Sequence, residues 1–184
     1  MRNKFLPKRR SIRWHNYSYT RSASYFITIS TKDKKPTLGY YAADSVVLTQ
    51  LGLITDACLK SIQQHHPNVI RVLYSIQPNH IHVLITIIEL PDNSEEPEQF
   101  GKPVRGSIPT IVRTLKAAIT REIRRRFSNP KLLVFHRGFY MRVLFKPEYV
   151  HRVEGYIRYN TQIHLARRRR RSSRINRKHA PSPP

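Results

Sequence analysis

The sequence has one cysteine, few acidic residues and no long apolar run. Because Cys58 is the single cysteine, an internal disulfide and a zinc site built from several cysteines are excluded. The longest apolar stretch, residues 83–90, is much shorter than the roughly 20 residues that a membrane-spanning helix needs. The basic N-terminus is followed by no apolar segment of the kind that secretory signals contain. We therefore expect a cytoplasmic protein with no membrane partner.

Acidic residues are scarce relative to basic ones. The chain has 11 Asp and Glu against 34 Lys and Arg, which gives a formal net charge of +23. Two-metal nucleases bind their ions through several carboxylates, so this composition argues against that class. No glycine-rich phosphate loop of the Walker type is present either. The excess of positive charge instead predicts a partner with dense negative charge, namely nucleic acid.

The basic residues are concentrated at the two ends of a chain of 184 residues, the size of one domain. Residues 1–35 hold ten Lys or Arg and one acid, and residues 166–184 hold eight and none. This distribution predicts a folded core between basic arms that follow a phosphate backbone. The predicted units are a basic arm at 1–24, a folded domain at 25–165 with a flexible acidic, proline-containing loop at 90–105, and a basic, disordered tail at 166–184.

Apolar periodicity predicts strands and helices in the order β-α-β-β-α-β, followed by a further helix. This order is typical of an α+β, ferredoxin-like fold, which has an antiparallel sheet with helices on one face. The last helix is an addition to that pattern. The predicted segments are strands at 25–31, 69–76, 81–88 and 135–145, a short strand at 46–49, and helices at 51–66, 107–127 and from Pro147 to about Leu165.

Two histidines at alternate positions of a predicted strand form a candidate metal site. Side chains alternate along a strand, so His80 and His82 point from one face and Ile81 points from the other. Two neutral imidazoles on one face bind one divalent ion when a third ligand comes from elsewhere. The structural alternative is a pair of half-buried histidines on the surface of a sheet.

Tyr156, in the last predicted helix, is the candidate nucleophile. Residues four apart share a helix face, and of the four tyrosines between 140 and 159 only Tyr156 has a metal-capable residue, Asn160, at that spacing. A tyrosine attacks a phosphodiester when the phosphate is made electrophilic, which a metal ion does by polarising a phosphate oxygen. The sequence indicates no general base. The structural alternative is a core aromatic beside an incidental asparagine.

The segments that carry these residues resemble the single-tyrosine HUH transposases. Residues 77–84, Gln-Pro-Asn-His-Ile-His-Val-Leu, are similar to the HUH motif, and residues 154–160, Glu-Gly-Tyr-Ile-Arg-Tyr-Asn, are similar to the nucleophile helix. Residues 9–13, 25–28 and 112–121 are similar to one subgroup, the REP-associated tyrosine transposases. The resemblance extends over residues 9–165.

This resemblance implies an activity and a set of ligands. Residues 25–165 would form an HUH transposase catalytic domain in which Mg²⁺ or Mn²⁺ binds at His80 and His82, with Asn160 as the third ligand. Tyr156 would cleave single-stranded DNA beside a palindromic hairpin and form a 5′-phosphotyrosine. The free 3′-hydroxyl would then rejoin the strands, which completes DNA transposition.

Three positions depart from the pattern common in the subgroup. Where its members commonly have Tyr-Ile-x-Asn-Asn-Pro, this chain has Tyr159 in place of the first Asn and Thr161 in place of Pro, while Asn160 is kept. Gln77 stands where the motif usually has Met. Without the proline the last helix is free to continue. Tyr159 is an alternative nucleophile, although it points about 60° away from Tyr156 around a helix.

Two other functions remain open, an HUH replication initiator or relaxase and a catalytically silent nucleic-acid-binding module. For the transposase we expect a nucleoid-associated monomer or homodimer whose partner is single-stranded DNA with palindromic hairpins. Its contacts with phosphate should make binding fall steeply with salt. The residues expected to contact DNA are Arg9, Arg10, Arg13, Arg113, Lys116, Arg167, Arg168, Arg169, Arg170 and Arg171.

Overall fold

The computed structural model describes residues 17–91 and 103–178, with side chains described as far as residue 166. Most of the predicted N-terminal arm, most of the predicted acidic loop and the last six residues lie outside this part of the chain. The strands are β1 Ala23–Ser30, β2 Gly39–Tyr41, β3 Val46–Leu48, β4 Val69–Gln77, β5 His80–Ile87 and β6 Tyr140–Leu144. The helices are α1 Gln50–Lys60, α2 Ile62–His65, α3 Ile108–Arg126 and α4 Pro147–Lys178, and Lys32–Lys34 form one turn of 3₁₀ helix.

Four strands form an antiparallel sheet in the order β4-β5-β1-β6. Strand β1 is central, since it pairs with β5 on one side and with β6 on the other. The sheet is antiparallel, as predicted, and the α+β class is confirmed. Strand β2, which the sequence pattern does not predict, forms a separate hairpin with β3.

The sheet buries side chains on both of its faces. On β1, Tyr25, Ile27 and Ile29 are fully buried in the main core, to which α1 and α3 contribute their apolar faces. The alternate residues Phe26 and Thr28 point to the other face, where Phe26 packs in a smaller cluster with residues of α4. Helices α1 and α3 therefore cover one face of the sheet and α4 covers the other.

Helix α3 begins where its sequence signals place it. The Ser107 side chain accepts a hydrogen bond from the Thr110 backbone N–H at 3.3 Å, and Pro109 occupies the first turn, where its missing N–H costs nothing. The apolar positions predicted from periodicity, among them Ile111, Leu115 and Ile119, are buried in the core. The helix thereby covers the sheet face opposite α4.

Helix α4 continues to Lys178, which corrects the predicted end near Leu165. No glycine or proline occurs between Tyr156 and His179, and arginine is a good helix former, so nothing local ends the helix. Thr161 in place of proline keeps a backbone N–H within the helix. Among residues 17–91 and 103–178, no helix is both long enough and apolar enough to cross a membrane.

Candidate active site and metal centre

The two histidines lie at the start of β5, directly after the turn that joins it to β4. Gln77 of β4 pairs with His80, and on the other side Thr28 of β1 pairs with His82. Both imidazoles point to the face that α4 covers, while Ile81 between them is fully buried in the main core. They share a face, as strand alternation predicts.

Neighbouring side chains determine which ring nitrogen of each histidine faces the site. His80 Nδ1 lies 2.7 Å from Asn79 Oδ1 and, because a carbonyl oxygen only accepts, Nδ1 carries the proton. His82 Nδ1 lies 2.9 Å from the hydroxyl oxygen of Thr28. The two Nε2 atoms consequently face each other at 3.0 Å. One proton or one metal ion between them would satisfy both nitrogens.

This arrangement fits a divalent ion. Adjacent ligand atoms of an octahedral ion, each about 2.1 Å from it, lie about 3 Å apart, and the two Nε2 atoms have that spacing. Burial lowers the pKa of His80 to about 4, and burial together with neighbouring histidines lowers the pKa of His82 to about 3. Both rings are therefore neutral at pH 7, which is the protonation state that binds metal.

These lowered pKa values predict that the metal-free protein loses stability in mild acid. In the unfolded chain both histidines regain a pKa near 6.5, so between about pH 6.5 and pH 4 the unfolded state binds more protons than the folded state. We expect the free energy of unfolding, measured by urea denaturation in EDTA, to decrease as the pH falls through this window. The decrease should be smaller in the double variant His80→Asn/His82→Asn, and equal slopes in the two proteins would contradict the prediction.

Tyr156 reaches the histidines from α4. Its hydroxyl oxygen lies 3.2 Å from His82 Nε2. Phe26 stacks on His82 at a ring-centroid distance of 5.2 Å and contacts Tyr156 edge-on at 6.0 Å, so one side chain orients both rings. Tyr156 is 38% exposed and thus accessible to a substrate. Tyr159, the alternative nucleophile, is 61% exposed and is not among the described residues around the histidines.

An ion pair fixes the turn of α4 that carries Tyr156. Glu154 pairs with Arg71 of β4, and its side chain is only 13% exposed. The pair joins α4 to the edge strand of the sheet, two residues before Tyr156. A displacement of α4 would therefore separate this buried carboxylate from its cation, which is costly.

Asn160 lies one turn beyond Tyr156 and is completely buried. Within the described residues, neither its amide oxygen nor its amide nitrogen has a hydrogen-bond partner. A buried polar group left without a partner costs about 1–3 kcal/mol, which a ligand to the oxygen would offset. Asn160 is not, however, among the residues around the cavity that contains the two histidines and Tyr156.

A third histidine, which the sequence pattern did not single out, borders this cavity. The cavity has a volume of about 830 Å³, and its wall includes His80, His82, Tyr156 and His164. The His164 ring centroid lies 6.2 Å from that of His80. The sequence did contain a pattern that could have identified it. Tyr156, Asn160 and His164 are spaced four residues apart, and residues at that spacing share one face of a helix.

Two of the departures from the subgroup pattern contact each other. The buried Gln77 side chain donates a hydrogen bond from Nε2 to Thr161 Oγ1 at 3.2 Å. Its Oε1 accepts a bond from the Tyr41 hydroxyl at 3.1 Å. Gln77 therefore connects the start of the histidine turn, the β2–β3 hairpin and α4, a role that methionine cannot fill.

The predicted DNA-contacting residues are distributed unevenly over the described structure. Arg113 is exposed on α3. The Lys116 ammonium donates to the backbone carbonyl oxygens of His136, Arg137 and Gly138 at 2.7, 3.1 and 3.4 Å, and burial lowers its pKa. A phosphate contact by Lys116 would compete with these bonds. Arg167–Arg171 belong to α4, but the structure does not describe their side chains. Arg9, Arg10 and Arg13 lie outside the described residues.

Comparison of whole chains places this fold among known proteins. No family model matches the sequence. A protein of Haemophilus influenzae, described as uncharacterized, is 31% identical over 150 residues, which cover 77% of this chain and 82% of the relative. This chain and the Haemophilus protein belong to the same family.

Among solved structures, a REP-associated tyrosine transposase bound to a REP hairpin aligns with a TM-score of 0.56 at 14% identity, over 83% of this chain and 73% of that one. The chain has the fold of a REP-associated tyrosine transposase. A putative transposase from Deinococcus radiodurans aligns over 79% of this chain and 95% of that one, with 15% identity and a TM-score of 0.45, which is too low to add to the assignment.

Proposed function

We propose that this protein is a metal-dependent single-stranded DNA endonuclease and strand transferase that acts at palindromic hairpins through a 5′-phosphotyrosine. One observation carries the proposal, namely that the Tyr156 hydroxyl lies 3.2 Å from His82 Nε2, which itself faces His80 Nε2 at 3.0 Å. A nucleophile is thus adjacent to a site suited to a divalent ion. The solved structure with this fold binds a REP hairpin, which supports the same class of partner here.

His80 and His82 would hold Mg²⁺ or Mn²⁺ through their Nε2 atoms, with the buried Asn160 amide as the third ligand. When bound, the ion would supply Lewis-acid polarisation of a phosphate oxygen. All three ligands are neutral, so none of them cancels the positive charge that this polarisation requires. Thr28 and Asn79 hold the imidazole rings in position from the opposite side.

The Tyr156 oxygen would form a bond to the phosphorus while the bond between phosphorus and the 3′ oxygen breaks. The phenol proton would leave to water, which reaches the partly exposed side chain, and the departing 3′ oxygen would take up a proton. The products are a 5′-phosphotyrosine and a free 3′-hydroxyl. When a 3′-hydroxyl attacks the phosphotyrosine, a phosphodiester bond forms and the bond between phosphorus and the Tyr156 oxygen breaks. Strand transfer would therefore need no nucleoside triphosphate.

The test is incubation of the purified protein with a single-stranded hairpin oligonucleotide from its own genomic flank, with Mg²⁺, Mn²⁺ or EDTA. Products are resolved on a denaturing protein gel, and the adduct is located by peptide mass. A metal-dependent adduct at Tyr156 is expected. Nicking of a supercoiled plasmid without any palindrome would favour a replication initiator or relaxase, and binding without cleavage under every divalent ion would favour a silent binding module.

A further inference from the structure

The cavity beside Tyr156 is bordered by several ring side chains and a lysine. Its volume of about 830 Å³ lies within the range of roughly 300–1,000 Å³ that is typical of ligand pockets. Tyr40, Tyr41 and His164, which have no part in the proposed reaction, border it together with the exposed Lys34. None of the described residues around the cavity is acidic. The cavity therefore combines an aromatic wall with positive charge and has no described carboxylate that would repel a phosphate.

Tyr41 and His164 form a fixed part of this wall. Their rings are stacked, with centroids 6.2 Å apart and planes 29° apart. The Tyr41 hydroxyl donates a hydrogen bond at 3.1 Å to the buried Gln77, which holds the phenol ring in place. Because the two nearly parallel rings are already positioned, a flat ligand that packs against them would bind at a low cost in side-chain entropy.

Tyr40 is the most accessible ring on the wall, with 59% of its surface exposed. It lies in β2, which belongs to the small hairpin outside the four-stranded sheet and pairs Tyr40 with Val47. Tyr40 is not among the described residues of either hydrophobic cluster. Core packing therefore does not account for this large side chain, and its ring is available to a ligand.

Aromatic rings beside a cation are the features by which proteins bind single-stranded nucleic acid. Unpaired bases stack on the rings, and the cation contacts the backbone phosphates. The Tyr156 hydroxyl, which would attack the phosphate, opens into the same cavity as these rings. A base that enters the cavity would thus belong to a nucleotide next to the phosphate that is cleaved.

We infer that this cavity is a nucleobase-binding site, in which an unpaired base adjacent to the scissile phosphate stacks against Tyr40 and the Tyr41–His164 pair. Lys34 contacts a neighbouring phosphate. This inference rests on the proposed function, because it takes single-stranded DNA as the partner. It gives the β2–β3 hairpin the task of holding the substrate strand beside the nucleophile.

Abasic scanning of the hairpin oligonucleotide tests the inference without metal or cleavage. Each unpaired nucleotide beside the hairpin is replaced in turn by an abasic one, and the affinity is measured by fluorescence anisotropy in EDTA. For the unaltered protein we expect loss of one particular base to weaken binding about tenfold. Tyr40→Ala and His164→Ala should weaken binding of the intact oligonucleotide and should no longer respond to loss of that base. Tyr40→Phe and His164→Phe, which keep a ring, should restore the response.

The matched control is Phe127→Ala, which removes an exposed ring at the end of α3, on the side of the sheet opposite α4. It should respond to the abasic oligonucleotides as the unaltered protein does. If Tyr40→Ala and His164→Ala keep the full response, or if no abasic position weakens binding of the unaltered protein, the inference fails. A metal-dependent adduct at Tyr156 in the same preparations would then leave the proposed function standing. The expected response in EDTA without any adduct in Mg²⁺ or Mn²⁺ would support the base site and contradict the cleavage activity.

Discussion

Replacing Tyr156 by phenylalanine is expected to abolish the covalent protein–DNA adduct and to lower hairpin cleavage by roughly 10³-fold or more. The phenol oxygen is the atom that would become bonded to phosphorus, and phenylalanine lacks it. The variant keeps the ring contacts with Phe26 and His82 and loses only the contact of the hydroxyl with His82 Nε2, so it should fold normally. Hairpin binding, measured by fluorescence anisotropy with a labelled oligonucleotide, should be nearly unchanged because phosphate contacts dominate it.

Tyr159→Phe is the matched control for this experiment. It makes the same chemical change on the same helix three residues away, at a side chain that is 61% exposed and does not border the cavity. We expect adduct formation at the level of the unaltered protein. An adduct that persists in Tyr156→Phe and maps to Tyr159 would show that the nucleophile has been assigned to the wrong tyrosine.

The positions of His80, His82 and Tyr156 were accessible from the sequence because each depends on local geometry. Alternation along a strand places both imidazoles on one face, and the four-residue step on a helix selects Tyr156 from the neighbouring tyrosines. The order of the main strands and helices along the chain followed from apolar periodicity in the same way. Local periodicity does not specify the distance between β5 and α4, so the 3.2 Å contact between Tyr156 and His82 required the structure.

The contacts that orient the site were not accessible because they join segments that are distant in the chain. Thr28 and His82 are 54 residues apart, and Gln77 and Thr161 are 84 residues apart. Tyr41 belongs to a three-residue strand that apolar patterning does not distinguish from a loop. Lys116 shows the same limit, because its position on α3 predicts a solvated cation and its contacts with the 136–138 carbonyls depend on a loop 20 residues later.

Removal of one imidazole of the proposed metal site should separate catalysis from DNA binding. We expect His82→Ala to lose divalent-ion binding and to cleave the hairpin roughly 10³-fold or more slowly, since Lewis-acid stabilisation of the transition state contributes several kcal/mol and each 1.4 kcal/mol is about tenfold in rate. Ion binding is measured by calorimetry and cleavage by single-turnover kinetics on a denaturing gel. Hairpin affinity in EDTA should match that of the unaltered protein.

The control for this prediction is His136→Ala, which removes an exposed histidine whose Nδ1 accepts a hydrogen bond from the Gly138 N–H, away from the cavity. It should bind ions and cleave normally. Because His82 also stacks on Phe26, His82→Ala carries a risk of local repacking, and His82→Asn serves as a second variant with a smaller change in polarity. Metal-dependent cleavage at the normal rate in both His82 variants would contradict the role of this histidine pair, and the Tyr156 nucleophile would then need activation from another source.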